Sequence, residues 1–227
     1  MIKAILFDMD GVLYDSMPNH VQAWHETMSA LNTICSTEEF YLFEGRTGES
    51  TINIIFNRTF GRDATPQEAK NIYEQKAKRF NELEYPGAKP MTGAFEVLQK
   101  VKNLGLQRVI VTGSGQKSLF EKLDHHFPLI FDKNLMVTAY DVIYGKPHPE
   151  PYLLGLDKAK ILPSEAIVIE NAPLGVESGR AAGIYTIAVN TGPLDDKVLL
   201  DAGANELFHS MNELAENIES VIKRQSI

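Results

Sequence analysis

Six short apolar runs recur along the chain, and three of them contain no polar residue. Such runs are typical of strands in a parallel sheet that is buried on both faces. Stretches with a helical spacing of apolar residues lie between most of them, and in residues 95–104 this stretch ends at Gly105, a helix stop signal. The alternation predicts an α/β fold with a doubly wound parallel sheet. The predicted strands are Ala4–Phe7, Val109–Thr112, Leu135–Val137, Ala166–Ile169, Tyr185–Val189 and Glu206–Phe208.

One segment interrupts this alternation. Between Asp15 and Pro86 the sequence has no strand pattern, and Tyr85-Pro86-Gly87 indicates a linker. We therefore predict a core formed by residues 1–15 and 87–227, with a helical domain inserted at 16–86. The predicted helices of the insertion are Pro18–Leu31, Thr37–Phe43, Ser50–Phe60 and Pro66–Leu83, and those of the core are Phe95–Leu104, Lys117–His125, Glu150–Ala159, Leu174–Ala182, Asp196–Ala202 and Met211–Lys223.

The charge balance narrows the range of partners. The 227-residue chain has a formal net charge of −8, which argues against nucleic acid or an anionic membrane as a partner. A small anionic substrate remains compatible if a cation bridges it to the protein. The single cysteine, Cys35, permits no internal disulfide, and no apolar stretch has the length of a signal peptide core or a membrane span. We expect a cytoplasmic protein, and nothing in the sequence demands more than a monomer.

Polar residues follow four of the predicted strands. Asp8 and Asp10 follow the first strand, "TGSG" at 112–115 follows the second, "GKP" at 145–147 comes some residues after the third, and "EN" at 170–171 follows the fourth. Parallel strands end at one edge of a sheet, and open α/β sheets bind ligands there. We therefore expect these residues to form one site that the inserted helices can cover.

The residue types at this edge suit phosphoryl transfer. Asp8, Asp10 and Glu170 supply the oxygen ligands that Mg²⁺ prefers. Thr112 and the glycine-rich turn after it offer a hydroxyl and backbone N–H groups for phosphate oxygens, and Lys146 adds a positive charge. Asp8 is the candidate nucleophile, and Asp10 the candidate group that protonates the leaving group and then activates water. Each motif alone is a weak signal, but the four in this order are a strong one.

These motifs resemble those of the haloacid dehalogenase superfamily of phosphotransferases: "DMDGV" at 8–12, "VTG" at 111–113, "GKP" at 145–147 and "IEN" at 169–171. The inserted segment resembles that superfamily's helical cap. Within the superfamily the chain is most similar to the β-phosphoglucomutase-like group, through "YGKPHPEPY", "IENAPLGVESGRAAG" and "MPNHVQAW". The resemblance implies a Rossmann-like core and Mg²⁺-dependent chemistry through an aspartyl-phosphate on Asp8. It also implies substrate contacts from Gly113 and Ser114.

Two positions depart from the mutase pattern. Asn171 stands where the mutases carry an aspartate that binds the metal, so its amide oxygen can still bind Mg²⁺ but one negative charge is lost. In the cap, "EGRTG" at 44–48 replaces a loop like Lys-Gly-Val-Ser-Arg, so that Glu44 stands where lysine stood and Gly48 where the arginine that grips a distal phosphate stood. We hypothesise that Glu44 reaches Mg²⁺ when the cap closes and restores the charge lost at Asn171.

So tight a closure would suit a small substrate. Inorganic pyrophosphate is our first expectation, and "EGRTGESTIN" with "TGSGQ" also resembles a bacterial pyrophosphatase branch of the superfamily. By the same resemblance, Lys76 and His20 match a substrate-binding lysine and a histidine of the family's cap. For His20 a structural role is an equal alternative.

Alternatives to these expectations stay open at this point. One alternative function is that of a β-phosphoglucomutase, in which Arg46 would replace the missing arginine. Another is that of a sugar-phosphate phosphatase. For Glu44, the alternative to binding the metal is that it is a solvated carboxylate at a helix end. A further alternative is a non-catalytic sensor of phosphorylated ligands, although the presence of Asp8, Asp10 and Lys146 argues against it.

Overall fold

The computed structural model describes residues 1–115 and 117–226. Its strands form one parallel sheet in the order β3-β2-β1-β4-β5-β6, which confirms the predicted doubly wound α/β core. The order reverses direction beside β1, and this is the point at which open α/β sheets bind their ligands. The strands are β1 (Ala4–Phe7), β2 (Gln107–Val111), β3 (Met136–Val137), β4 (Ala166–Glu170), β5 (Tyr185–Val189) and β6 (Glu206–Phe208).

The register of the three central strands brings their carboxyl ends level. Phe7 at the end of β1 pairs with Ile110 of β2 on one side and with Ile169 of β4 on the other. The next residues along each strand therefore emerge at the same edge of the sheet, and among them are Asp8 and Glu170. This register is the reason that residues far apart in sequence meet in one site.

Helices cover both faces of the sheet. One face buries the large cluster that includes Phe7, Ile110 and Ile218, and the other buries a cluster around Leu6, Val168 and Tyr152. The helices of the core are α5 (Ala94–Asn103), α6 (Lys117–His126), α7 (Glu150–Ala159), α8 (Pro173–Ala181), α9 (Asp196–Asp201) and α10 (Met211–Arg224), and their ends lie within two residues of the predicted ones.

Four helices lie between Asp15 and Pro86, where the sequence has no strand pattern: α1 (Met17–Ser29), α2 (Thr37–Leu42), α3 (Gly48–Phe60) and α4 (Pro66–Glu84). They bury an apolar cluster of their own that includes Val21, Ile52 and Ile72. Phe80 and Ala23 instead pack into the main core cluster, and so join the base of this helical unit to the sheet. We propose that these helices form the cap predicted at 16–86. No helix in the described part of the chain is both long and apolar enough to cross a membrane.

Candidate active site

A buried lysine lies between two carboxylates at the edge of the sheet. Lys146 Nζ lies 2.5 Å from Asp8 Oδ1 and 2.5 Å from Glu170 Oε1, and it also donates to the Val111 carbonyl at 3.0 Å. Burial raises the pKa of Asp8 to about 8, although Lys146 opposes the shift. Burial disfavours the charged Lys146, but the attraction of Asp8 and Glu170 outweighs it and raises the lysine's pKa. The lysine therefore stays charged and holds both carboxyl groups in place.

Glu170 has further partners on every side. Its Oε1 accepts from the Tyr152 hydroxyl at 2.7 Å, and its Oε2 accepts from the backbone N–H groups of Asn171 at 3.0 Å and Ala172 at 3.2 Å. Tyr152 was not among the predicted site residues. Its position on α7, six residues after Lys146, is the sequence feature that could have indicated it. In the structure its ring lies beneath the lysine, with Lys146 Nζ 5.1 Å from the ring centroid.

Asp10 faces away from Lys146 and towards α1. Its Oδ1 accepts from the Ser16 hydroxyl at 2.6 Å and lies 3.2 Å from His20 Nε2. Burial alone would raise its pKa, but the contacts with His20 and Ser16 hold the pKa of Asp10 below its usual value. The carboxylate is thus ionised and oriented by hydrogen bonds.

His20 connects Asp10 to the cap lysine. Its Nδ1 lies 2.6 Å from Lys76 Nζ, and its ring stacks on Phe80 with 3.9 Å between centroids. Burial lowers the pKa of His20, and burial also lowers the pKa of Lys76 to about 7. A neutral His20 with its proton on Nε2 donates to Asp10 and accepts from Lys76. The three predicted residues thus form one buried chain of hydrogen bonds.

The turn after β2 presents the predicted phosphate-binding groups. Thr112 is buried, and its Oγ1 accepts from the backbone N–H of Ser114 at 2.9 Å. Gly113 lies between them and is close to Gly45, in the loop at 44–47 of the helical insertion, which we call the cap loop. This tight turn places the Thr112 hydroxyl beside the cavity described below.

Glu44 lies at the interface between the helical insertion and the core, where both its oxygens accept from Asn171 Nδ2, at 3.2 and 3.1 Å. Burial and the nearby charge of Asp8 raise the pKa of Glu44 well above its usual value. Glu44 is therefore not a solvated carboxylate at a helix end, and that interpretation is wrong. Gly11 makes room for Asn171, since a Cβ at this position, where φ is +82°, would lie 2.1 Å from Asn171 Nδ2.

These side chains border a cavity of about 70 Å³ between the sheet edge and the inserted helices. Arg46 is one of its wall residues; it lies near the Phe43 ring, with its Nη1 3.5 Å from the Ser50 hydroxyl. The wall combines charged residues with the apolar and aromatic side chains of the cap. The lining residues that carry the argument are Asp8, Asp10, His20, Trp24, Glu44, Arg46, Lys76, Thr112, Gly113 and Ser114.

The donor set fits a divalent cation, although not in the arrangement expected from sequence. Within 1–115 and 117–226, no three His, Cys, Asp or Glu side chains form a metal-binding group. Lys146 separates Asp8 from Glu170, and the Asp10 carboxylate is engaged with Ser16 and His20. What points to a cation is the facing pair Asp8 and Glu44, together with a buried Asn171 Oδ1 that has no hydrogen-bond partner.

Comparison with known proteins agrees with this geometry. The family model for haloacid dehalogenase-like hydrolases matches residues 5–189. The chain is 30% identical to a phosphorylated carbohydrates phosphatase of Thermotoga maritima, over 89% of this chain and 92% of that protein. It is 31% identical to hexitol phosphatase A of Escherichia coli, over 93% of each.

Solved structures give the same picture. A Bacteroides vulgatus protein provisionally described as a β-phosphoglucomutase superposes with a TM-score of 0.94 at 57% identity, covering 99% of this chain and 90% of that one. CbbY from Rhodobacter sphaeroides, in complex with phosphate, superposes with a TM-score of 0.75 at 27% identity, covering 94% and 96%. With Asp8, Thr112, Lys146 and Glu170 at one sheet edge, the chain belongs to the haloacid dehalogenase-like hydrolase family, in its β-phosphoglucomutase-like group, and is an enzyme of the phosphatase and phosphotransferase type.

Proposed function

We propose that the protein is a Mg²⁺-dependent phosphohydrolase that acts through a phosphoryl group on Asp8, with inorganic pyrophosphate as its preferred substrate. The observation that carries the choice of substrate is the position of Glu44, which is half-buried, accepts hydrogen bonds from Asn171 and lies close enough to Asp8 for their charges to repel. Desolvation and the charge of Asp8 make an ionised Glu44 costly, so this geometry favours a cation between the cap and the core. Asp8, Glu44 and Asn171 Oδ1 would hold Mg²⁺, which would neutralise charge on the substrate's phosphoryl oxygens.

The residues of the chain divide the reaction between them. The Asp8 carboxylate attacks the phosphorus of the terminal phosphoryl group, and the bridging P–O bond breaks to release orthophosphate. Lys146 fixes the orientation of Asp8, and Thr112 with the N–H groups of its turn binds phosphoryl oxygens. Asp10 then takes a proton from the water that hydrolyses the aspartyl-phosphate, since Ser16 and His20 hold its carboxylate in position.

The size and charge of the cavity support a small, highly charged substrate. Its volume of about 70 Å³ is well below the roughly 300–1,000 Å³ of typical small-molecule sites. Lys76 and Arg46 both line it and would bind the departing phosphate. Orthophosphate leaves as a stable anion, so pyrophosphate demands less proton donation from Asp10 than a sugar alkoxide would.

A sugar-phosphate phosphatase is the second candidate, and the comparisons support it better than they support a pyrophosphatase. Two of this chain's relatives are a phosphorylated carbohydrates phosphatase and a hexitol phosphatase. In addition, Trp24, Phe40 and Tyr73 give the cavity an aromatic wall on which a carbon skeleton could pack. A β-phosphoglucomutase is the third candidate, and this function would need Arg46 to bind the distal phosphate of the substrate.

One set of assays separates these candidates. We would measure kcat/KM with Mg²⁺ for pyrophosphate, glucose 6-phosphate and β-glucose 1-phosphate, and assay the last for both glucose 6-phosphate and free phosphate. We expect pyrophosphate to lead by about three decades, roughly 4 kcal/mol of transition-state discrimination. A higher value for glucose 6-phosphate would establish the second candidate, and formation of glucose 6-phosphate the third.

The role of Glu44 has its own control. Glu44→Gln should lower kcat/KM for pyrophosphate by about 10–100-fold, the size of effect typical of lost support around a metal. Glu49→Gln changes an exposed carboxylate on the same cap segment and should leave the value unchanged. Full pyrophosphate turnover by the Glu44→Gln enzyme would remove the argument for this substrate.

A further inference from the structure

The cap loop approaches the core most closely at two glycines. A Cβ atom at Gly113 would lie 2.7 Å from the Gly45 carbonyl oxygen, and a Cβ atom at Gly145 would lie 2.9 Å from Thr47 Cγ2 and 3.1 Å from the Thr47 backbone nitrogen. Both distances are shorter than a carbon atom tolerates, so neither position has room for a side chain. Neither glycine has a positive φ, so close approach, and not backbone strain, is what demands glycine here.

These contacts belong to the loop that carries Glu44. Residues 44–47 lie over the turn after β2 on one side and over the loop before Lys146 on the other. Gly45 itself meets the Lys146 side chain, where an added Cβ would lie 3.0 Å from Cδ. The loop at 44–47 thus packs directly against two glycines of the core. How closely it packs there sets the distance between Glu44 and Asn171.

We infer that Gly113 and Gly145 are specificity-determining residues: they are the seats on which the cap loop closes, and they keep the cavity too small for a phosphorylated sugar. This inference rests on the proposed pyrophosphatase function. A methyl group at either seat would hold the loop away from the core, withdraw Glu44 from Asp8 and Asn171, and widen the cavity. The penalty should fall on the small substrate, which depends on full closure.

Gly145→Ala tests the idea, and Thr47→Ser supplies its rescue. Thr47→Ser removes the Cγ2 atom that the new methyl group would meet, and keeps the hydroxyl that accepts from Ser50 N at 3.3 Å at the start of α3. Gly192→Ala is the matched control, because its Cβ would lie 3.8 Å from the cap residue Tyr41, an ordinary contact. All variants are first compared by circular dichroism and thermal melting.

The expected kinetic result is a change of preference. Gly145→Ala should lower kcat/KM for pyrophosphate by about 10²-fold, as for other small displacements of catalytic groups, and change that for glucose 6-phosphate by less than about threefold. Thr47→Ser alone and Gly192→Ala should behave as wild type. The double variant Thr47→Ser/Gly145→Ala should recover most of the lost pyrophosphate rate, a coupling that residues in contact produce.

A second readout does not depend on turnover. Trp24 is the single tryptophan and lines the cavity, so its fluorescence on titration with Mg²⁺ and orthophosphate reports closure. Gly145→Ala should lose the fluorescence change, and the double variant should regain it. If wild-type enzyme prefers glucose 6-phosphate, the proposed function fails, yet this readout still decides whether the glycines seat the cap.

Two outcomes would overturn the inference. One is a Gly145→Ala enzyme with wild-type pyrophosphate kinetics and fluorescence. The other is an equal loss on both substrates without rescue by Thr47→Ser, which would place the damage at the neighbouring Lys146. If Gly145→Ala does not fold, Gly113→Ala carries the test: it should show the same change of preference, and Thr47→Ser should not rescue it, because its contact is the Gly45 carbonyl.

Discussion

At the scale of single residues, the site is organised by one lysine. Lys146 is buried with only 2% of its surface exposed, and both of its carboxylate partners are buried as well. A charge in such a place is tolerated only when it is paired and hydrogen-bonded. Asp8 therefore depends on Lys146 for its orientation, and Glu170 depends on it for compensation of its charge.

The nucleophile is the residue whose loss should matter most. Asp8→Asn removes the attacking carboxylate but keeps the shape of the side chain, so turnover of every phosphate substrate should fall by at least about 10³-fold. Asp15→Asn, an exposed aspartate of the same segment, is the control and should retain activity. A sensor without catalysis would lose nothing in either variant, and the measurement is steady-state release of phosphate.

Removal of the lysine should reveal the cost of the buried pair. Lys146→Met leaves Asp8 and Glu170 buried without their cation, and losing one partner of a buried ion pair costs about 3–5 kcal/mol. We expect a loss of that size in the free energy of unfolding, measured by urea denaturation in EDTA. The double variant Lys146→Met/Glu170→Gln should regain part of it. If Lys146→Met is as stable as wild type, the pair does not have the role assigned to it.

Residue identities at strand ends were predictable, whereas their partners were not. Asp8, Thr112 and Glu170 follow apolar runs, and the geometry of a parallel sheet alone brings such positions to one edge. The contacts of Asp10 with Ser16 and His20, and of Glu170 with Tyr152, depend on side-chain directions that no pattern encodes. For the same reason the sequence suggested a carboxylate cage, while the structure places a lysine inside it.

At the scale of elements, helices α1 and α4 carry the chain that runs from Lys76 through His20 to Asp10. Their amphipathic patterns predicted both helices, and the predicted ends of α1 and α4 lie within two residues of the ends in the structure. The packing of Phe80 on His20 fixes how the helices face each other. The hydrogen bond between Lys76 and His20 joins residues 56 positions apart, so the pairing of the two helices could not be predicted from local periodicity.

The buried Lys76 predicts how stability depends on pH. Burial lowers its pKa from 10.5 to about 7, while His20 and Asp10 are the titratable groups beside it. Between these values the unfolded chain holds a proton that the folded protein lacks, so the contribution of Lys76 to the free energy of unfolding rises as the pH rises. Lys76→Met removes this dependence. Its stability relative to wild type should therefore be greatest near pH 6.5 and decline towards pH 9.5.

Urea denaturation at several pH values measures this difference. Lys70→Met, at an exposed position on the same helix, is the control and should give a difference from wild type that does not change with pH. Parallel stability curves for wild type and Lys76→Met would show that the lysine titrates at its ordinary value in the folded protein.

At the scale of the whole molecule, charge is unevenly distributed. The chain carries 30 acidic and 22 Lys and Arg residues, so its overall field repels anions. Around the cavity, however, Arg46 in its wall and Lys146 beside Asp8 supply positive charge. A phosphate substrate that arrives as a complex with a divalent cation would meet less repulsion from the surface and bring the charge that Glu44 and Asp8 need.

Metal binding should therefore stabilise the association of cap and core. A ligand that binds only the folded protein at 100 times its Kd adds about 2.7 kcal/mol to the free energy of unfolding, so Mg²⁺ should raise Tm measurably and EDTA should reverse the effect. Desolvation and Asp8 make ionisation of Glu44 costlier in the folded protein than in the unfolded chain, so Glu44→Gln should raise Tm in EDTA while weakening Mg²⁺ binding by about 10–100-fold. Glu49→Gln should match wild type under both conditions. A Glu44→Gln protein with the wild-type response to Mg²⁺ would mean that the cap contributes no oxygen to the cation, and the core would then have to supply the negative charge that the neutral Asn171 lacks.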